Sequence, residues 1–354
     1  MPDKPSPALV AAIGAAGLVA AAFQRGRPDL TPVPLRPGRR RPRDGAGRDA
    51  NSPAEIPARG WWQVLKRTAC QANEDRLLTE AAGVTFFTLL ALFPGIAALV
   101  SLYGLFADPT TIWRHFAVLD GLVPGGGMDV LKDQVQRIAE KGPATLGLSL
   151  ALSLGTSLWS ANAAIKALFD ALNVVFEEKE TRSFVRLTAE TLGFTFASLL
   201  FVLLAIAAVV ALPVALSLVG IGAQADMLLR LARWPLLLLT MTVFLACMYR
   251  FGPDRRQAKW RWVTWGGGIA SLLWVAVSGA FSFYVAQFGN YNATYGSLGA
   301  VIGFMTWIWL SSAVVLVGAE LDAEREHQTA RDTTAPGGKP MGGRGARMAD
   351  TVAG

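Results

Sequence analysis

The chain is 354 residues long, 52% hydrophobic and only 17% charged, with a formal net charge of +7 and a mean hydropathy of +0.37. Soluble domains carry about 25% charged residues, and here the apolar residues come in long blocks, so the composition argues against a soluble globular chain and for helices that cross a bilayer. A membrane β-barrel is excluded too, because no segments of about ten residues alternate in hydrophobicity.

The first apolar block, residues 8–23 (ALVAAIGAAGLVAAAF), holds 16 residues, mostly Ala and Gly. A span needs about 20, so this block reads as an extra N-terminal apolar helix or as a surface-lying or disordered segment. A cleaved signal is the weaker reading, since Lys4 is the one basic residue ahead of it. Residues 25–48 then carry eight arginines and five prolines, a composition expected to be disordered. The arm reads first as a solvated tail and second as a contact to anionic lipid headgroups. Nucleic acid is a distant third and is not expected as a partner, since no aromatic platform or binding fold accompanies the arginines.

Six blocks follow that pass or nearly pass the length of a span: residues 81–106, 143–165, 189–219, 231–249, 263–288 and 298–319. Lipid forces backbone groups to bond internally, so each is expected to be helical. Pro94 in the first and Pro213 in the third each remove one backbone hydrogen bond and are expected to kink their helices. The outer loop, residues 107–142, contains MDVLKDQVQRIAEKG, with Leu131, Val135 and Ile138 at helical spacing. This short amphipathic helix has three open readings: it lies on the bilayer surface, covers the bundle, or meets a partner. Asn162 is the most deeply placed amide, and an interhelical hydrogen bond is its first reading, ahead of a substrate contact. Arg230 and Arg233 stand at the entry of the fourth block, where they can snorkel to the interface.

The sixth span is entered through NYNATYGSLG. Tyr291 and Tyr295 belong at headgroup depth, where a ring with a polar tip is favoured, and Asn290 and Asn292 can cap the helix. Gly296, Gly299 and Gly303 share one helix face and are expected to bring a neighbouring backbone close. At the far end, Glu320 is expected to pair with Arg255, Arg256 or Arg261 and so lock the last span to the fifth. Residues 327–354 are rich in Gly and Pro and read as a flexible end.

Orientation follows from Lys and Arg. Residues 24–80 hold twelve, 166–188 four, 250–262 five and 320–354 five, against four in 107–142 and two in 220–233. The basic side is cytoplasmic, so both ends of the six-helix bundle lie inside. The expected domains are residues 1–60 (the N-terminal segment and arm), 61–326 (the six-helix domain) and 327–354 (the tail).

Motifs for chemistry are scarce. His115 and His327 lie far apart, Cys70 and Cys247 form no CxxC, and neither HExxH nor GxxxxGK[ST] occurs. The run Gly266-Gly267-Gly268 opens a span and follows no strand, so it is no dinucleotide loop. The sequence calls for no catalytic residue, no cofactor and no metal.

Four stretches resemble the YihY/BrkB family of bacterial inner-membrane proteins: Asp75-Arg76-Leu77 with the apolar block after it; LWSANAAIKALFDALNVVFEEKETRSFVRL, which carries Trp159, Asn162, Asn173 and Arg182; YRFGPDRRQAKWRWVTWGGG, which carries Pro253; and NYNATYGSLGAVIGFMTWIWLSSAVVLVGAELDAE, ending beyond Glu320. The resemblance covers residues 61–326, with two departures: Phe176 where tyrosine is usual and Asp322 where asparagine is usual. It implies six helices with both ends cytoplasmic. It also implies that an old ribonuclease BN label for the family is mistaken, and that envelope-lipid export is one suggested role. The expected function is therefore that of a non-enzymatic inner-membrane protein that moves or accommodates a lipid or other amphiphile, with membrane lipids as partners. The alternatives are a scaffold that recruits envelope proteins and a secondary transporter of a small solute. No feature fixes a subunit number.

Overall fold

The computed structural model describes residues 45–104, 148–206, 223–288 and 298–353. Among these, a 3-10 turn, Pro53–Glu55, is followed by α1 (Ala58–Glu74), α2 (Leu77–Gly104), α3 (Leu148–Val175), α4 (Phe184–Ile206), α5 (Ala223–Phe251), α6 (Trp260–Phe288), α7 (Leu298–Gln328) and the short α8 (Arg347–Asp350). No strand forms among the described residues. Phe184–Ala205, Trp260–Val285 and Val301–Gln328 are long and apolar enough to cross a membrane, and Leu77–Leu92 and Pro235–Phe251 are shorter apolar helices. The expected amphipathic helix of the outer loop and the segments at residues 8–23 and 25–44 lie outside the described residues, as does Pro213.

Each apolar block is helical where described, but the helices outrun the blocks. α3 continues to Val175 and α7 to Gln328, so Lys166, Asp170 and Glu320 to Gln328 stand on helices, not in loops. The reason is simple: apolarity reports the bilayer, whereas the backbone hydrogen-bond ladder continues until a local stop. Two of those stops are non-glycine residues in the left-handed region, Arg76 (φ 51°) and Glu177 (φ 52°). At the end of α3 the Glu178 N–H reaches back to the Asn173 carbonyl at 2.8 Å, closing the turn as a C-cap does. Pro94 lies inside α2 and does not end it.

The buried core gathers at one end of the bundle. It combines the start of α2 (Leu77, Ala81), the end of α3 (Phe169, Leu172, Phe176), the end of α5 (Met248, Tyr249), the start of α6 (Ala270) and the end of α7 (Leu316, Ala323). Elsewhere the long helices turn large apolar side chains outward, among them Phe86, Leu200, Leu239, Leu272 and Phe283. A soluble monomer rarely exposes so much apolar surface; in a bilayer these faces meet acyl chains. α6 and α7 approach closely through small residues. A Cβ added at Gly318 would stand 2.5 Å from the Ala270 Cβ, and one at Gly266 would stand 2.3 Å from the Asp322 carboxyl. The expected glycine face contributes less: Gly303 is buried in α7, Gly299 lies in its first turn, and Gly296 falls outside the described residues.

Two stretches differ from the expectation of disorder. Residues 45–57, assigned to the arm, pack on the bundle: Ile56 and Ala50 bury against Trp262, and the Ala46 carbonyl accepts from Gln328 Nε2 at 2.7 Å. The C-terminal segment is not a free tail. Lys259 N–H donates to Thr333 O and Ala335 N–H to Gln257 O, both at 2.8 Å, around an antiparallel bridge between Ala258 and Thr334. Asp332 accepts hydrogen bonds from the Thr334 hydroxyl and N–H and from the Gly338 and Lys339 N–H groups. Glycine and proline serve here as turn formers around that carboxylate. Burial alone would raise the Asp332 carboxyl, but these donors hold it at about 2.

Candidate functional site

At the end of the bundle where the core gathers, polar side chains form an ordered layer. Its centre is Arg182, in the link between α3 and α4. Its guanidinium donates to Glu180 at 2.8 and 2.7 Å, to Glu190 at 2.7 Å and to the Gly252 carbonyl at 2.9 Å. Asp254 lies at 3.8 Å, and the Phe169 ring centroid 5.4 Å away. Burial opposes the charge on Arg182, but Glu180 and Glu190 outweigh it and hold the guanidinium protonated more firmly than usual. Glu180 is likewise raised by burial and lowered further by Arg182 and Asn173, so that it stays below the ordinary range. Asn173, fully buried at the end of α3, donates to Glu180 at 3.0 Å and accepts from the Asp254 N–H at 2.7 Å. Pro253 is buried in the same turn. Three residues singled out from the sequence, Asn173, Arg182 and Pro253, are thus brought into one knot between the α3–α4 and α5–α6 links.

A second ion pair lies beside it. Arg255 grips Glu326 with two hydrogen bonds, 2.9 and 3.0 Å long, with neither side chain exposed, and its guanidinium lies 3.9 Å from the centroid of Phe176. The expected pairing of Glu320 with Arg255, Arg256 or Arg261 is therefore wrong. Arg255 belongs to Glu326, Arg256 donates to the Pro336 carbonyl at 2.6 Å, and Glu320 accepts no hydrogen bond. Six residues on a helix leave a side chain about a third of a turn off its starting face, so Glu320 cannot share the direction of Glu326.

Glu320 turns instead toward the corner between α1 and α2, where Asp75 is the C-cap. Asp75 accepts from Gln71 at 3.2 Å, and its Oδ2 is buried without a partner. Burial lifts this carboxyl to about 6; Gln71 opposes the shift, and the charges of Glu177, Glu74 and Glu324 add to it. Asp322 accepts from the Gly266 N–H at 2.9 Å and pairs with Arg325.

The remaining candidates stand apart. Asn162 is buried and accepts from the Thr195 hydroxyl at 3.1 Å, the interhelical hydrogen bond read first from the sequence. Trp159 is exposed on α3. Tyr291 and Tyr295 lie outside the described residues. Sequence reasoning missed Glu180, Glu190, Asp254 and Glu326, because charges that flank spans read as topology signals. The overlooked clue was that these acids stand in the same span-flanking stretches as the arginines they meet.

Between α5 and α6 runs an open groove of about 430 Å³. Leu238, Leu239, Trp265, Ile269 and Leu272 wall it, and Thr242 donates to Ser271 at 3.2 Å along its floor. Among the described residues no three His, Cys, Asp or Glu side chains gather where they could hold a metal ion.

Apolar helices with outward-facing greasy surfaces and a polar layer at one end define a multi-pass helical membrane protein. The chain belongs to the virulence factor BrkB family, whose model matches residues 68–341. It is 28% identical to "Putative ribonuclease-like protein YfkH" of Bacillus subtilis over 69% of this chain and 88% of that one. It is 25% identical to "UPF0761 membrane protein VV0203" of Vibrio vulnificus over 72% and 80%, and 29% identical to "UPF0761 membrane protein Nmul_A0452" of Nitrosospira multiformis over 69% and 57%. No solved structure matches.

Proposed function

We propose that the protein is a bacterial inner-membrane protein of six spans, with both ends in the cytoplasm, that accommodates or moves a lipid or similar amphiphile without chemically altering it. The observation that carries this reading is the groove between α5 and α6. Its volume is within the range of small-molecule sites, its walls are apolar, and its hydroxyl pair, Thr242 and Ser271, offers polar atoms at one point along a greasy track. An ion pathway would instead want a polar lining. The polar layer fits the cytoplasmic side, where the basic loops belong.

Glycine geometry supplies a selective test. A Cβ at Gly268 would meet Thr242 Cγ2 at 3.8 Å, an ordinary contact, whereas one at Gly267 would come within 2.8 Å of the Thr242 carbonyl. Gly268→Leu therefore fills the groove while α5 and α6 stay packed. In proteoliposomes, wild-type protein is expected to transfer fluorescent lipid between leaflets faster than empty vesicles do, and Gly268→Leu to lose most of that excess. Transfer no faster than in empty vesicles, across several lipid classes, refutes the reading. Metal-supplemented RNA incubated with the same pure protein is expected to remain intact.

A further inference from the structure

Glu320 sits on α7 beside Leu316 and Ala319, both fully buried, and is itself 0% exposed. Neither of its carboxylate oxygens accepts a hydrogen bond. An isolated carboxylate in such a place is strongly unfavourable; buried charges persist only when paired or bound to a cation. The charges that act on Glu320 come from three elements and are all acidic: Asp75 at the α1–α2 corner, Glu324 on α7 and Glu177 at the α3–α4 turn. Their counter-ions are already engaged. Arg67 donates to Glu324 at 2.5 Å, His327 lies 3.8 Å from Glu324, and Arg347 pairs with Glu177 at 2.6 Å. Asp75 keeps one oxygen buried and unpaired. Of these four acids, Glu320 and Asp75 are therefore left without a cationic partner.

We infer that Glu320, in the field of the Asp75 carboxyl, forms a site for one small monovalent cation, a proton or Na⁺. A divalent ion fits poorly. It asks for several converging oxygens, about six to eight for Ca²⁺, and no three acidic or imidazole side chains converge that way among the described residues. The site lies on α7 and the α1–α2 corner, away from the groove between α5 and α6, and the inference does not rest on the lipid reading.

The test uses full-length protein in lipid nanodiscs, with thermal unfolding followed by tryptophan fluorescence. One arm varies pH without sodium; the other raises NaCl at fixed pH against matched choline chloride. Asp75→Asn serves as the background, because it removes the other unpaired carboxyl. In that background the unfolding temperature is expected to rise with acidification if the ligand is the proton, and with NaCl but not choline if it is Na⁺. The half-saturation point should be weakened about three- to tenfold relative to wild type by the loss of one neighbouring charge. Adding E320Q is expected to abolish the response. Should that double variant not fold, E320D in the same background is expected to shift the half-saturation point about two- to threefold, the ratio of the two carboxyls' ordinary affinities. The inference is overturned if the Asp75→Asn protein answers neither ligand, if the double variant keeps the response, or if E320D leaves the half-saturation point unmoved.

Discussion

The guanidinium of Arg182 joins Glu180, Glu190 and the Gly252 carbonyl while its side chain is 3% exposed. Removing one partner of a buried pair leaves uncompensated charge, at a cost of about 3–5 kcal/mol. Glu190 is a third exposed, so the expected loss for Arg182→Ala is about 2–4 kcal/mol. Arg182→Lys is expected to recover less than half of it, because an ammonium cannot reproduce the fork. Chemical denaturation in mild detergent reads both. Asp75 behaves in the opposite sense. Its folded-state carboxyl sits at about 6 against an ordinary 3.8, so the native state binds the proton more tightly. That stability is fully present below the ordinary value and lost as pH rises through the folded one. In sodium-free buffer, Asp75→Asn is expected to match wild type near pH 4 and to be the more stable protein above about pH 6, by roughly 1 kcal/mol after discounting for partial exposure. Equal pH curves would refute it. At this scale the resemblance located Asn173, Arg182 and Pro253, but their partners were not legible. Which acid meets which arginine depends on helix phase and on where helices stop, and no apolar block encodes either.

Helices α6 and α7 meet where a side chain on either would collide: Gly318 faces Ala270 and the Tyr249 hydroxyl, and Gly266 faces Asp322. The contact also carries a hydrogen bond from the Gly266 N–H to Asp322, and beside it the Tyr249 hydroxyl of α5 donates to the Val315 carbonyl of α7. Gly318→Ala is expected to cost about 1–3 kcal/mol by overpacking, while Gly279→Ala, where nothing stands within 4 Å of the added Cβ, costs nothing measurable; a thermal shift comparison distinguishes them. The C-terminal segment makes its own prediction. Its glycines and prolines read as a flexible end, yet Arg344 is 4% exposed and donates to the Ala330 carbonyl at 2.7 Å. Limited trypsin digestion is expected to cut slowly after Arg344 in wild type. Asp332→Ala frees four donors and should speed that cut about tenfold or more, as local opening becomes cheaper. Equal rates would mean the segment is not held by this carboxylate. Apolar blocks made the long helices legible. The tail was not legible, because low complexity describes composition and says nothing of a carboxylate placed to collect the turn's N–H groups. The helix α1 escaped as well: its inward stripe of Gly60, Val64 and Thr68 is too weakly apolar to stand out beside the spans.

For the whole molecule, the Lys and Arg count that orients the chain and the ordered polar layer draw on the same residues. Arg67, Arg182, Arg255, Arg325 and Arg344 all lie in segments counted as cytoplasmic, and in the folded protein all are held by acids or carbonyls. The orientation rule is indifferent to such pairing, since Asp and Glu contribute little to it. In the proposed orientation the cations that set topology also tie the helix ends together. This gives a prediction that needs no new residue. Cys70 is exposed on α1 and Cys247 half-buried on α5, both free. With the basic side inward, a membrane-impermeant maleimide is expected to label Cys70 in inside-out vesicles and to leave right-side-out vesicles unlabelled. A Cys70→Ser control should remove the signal. Labelling from the outer side would reverse the proposed orientation and put the polar layer, with Glu320 and Arg182, on the periplasmic face.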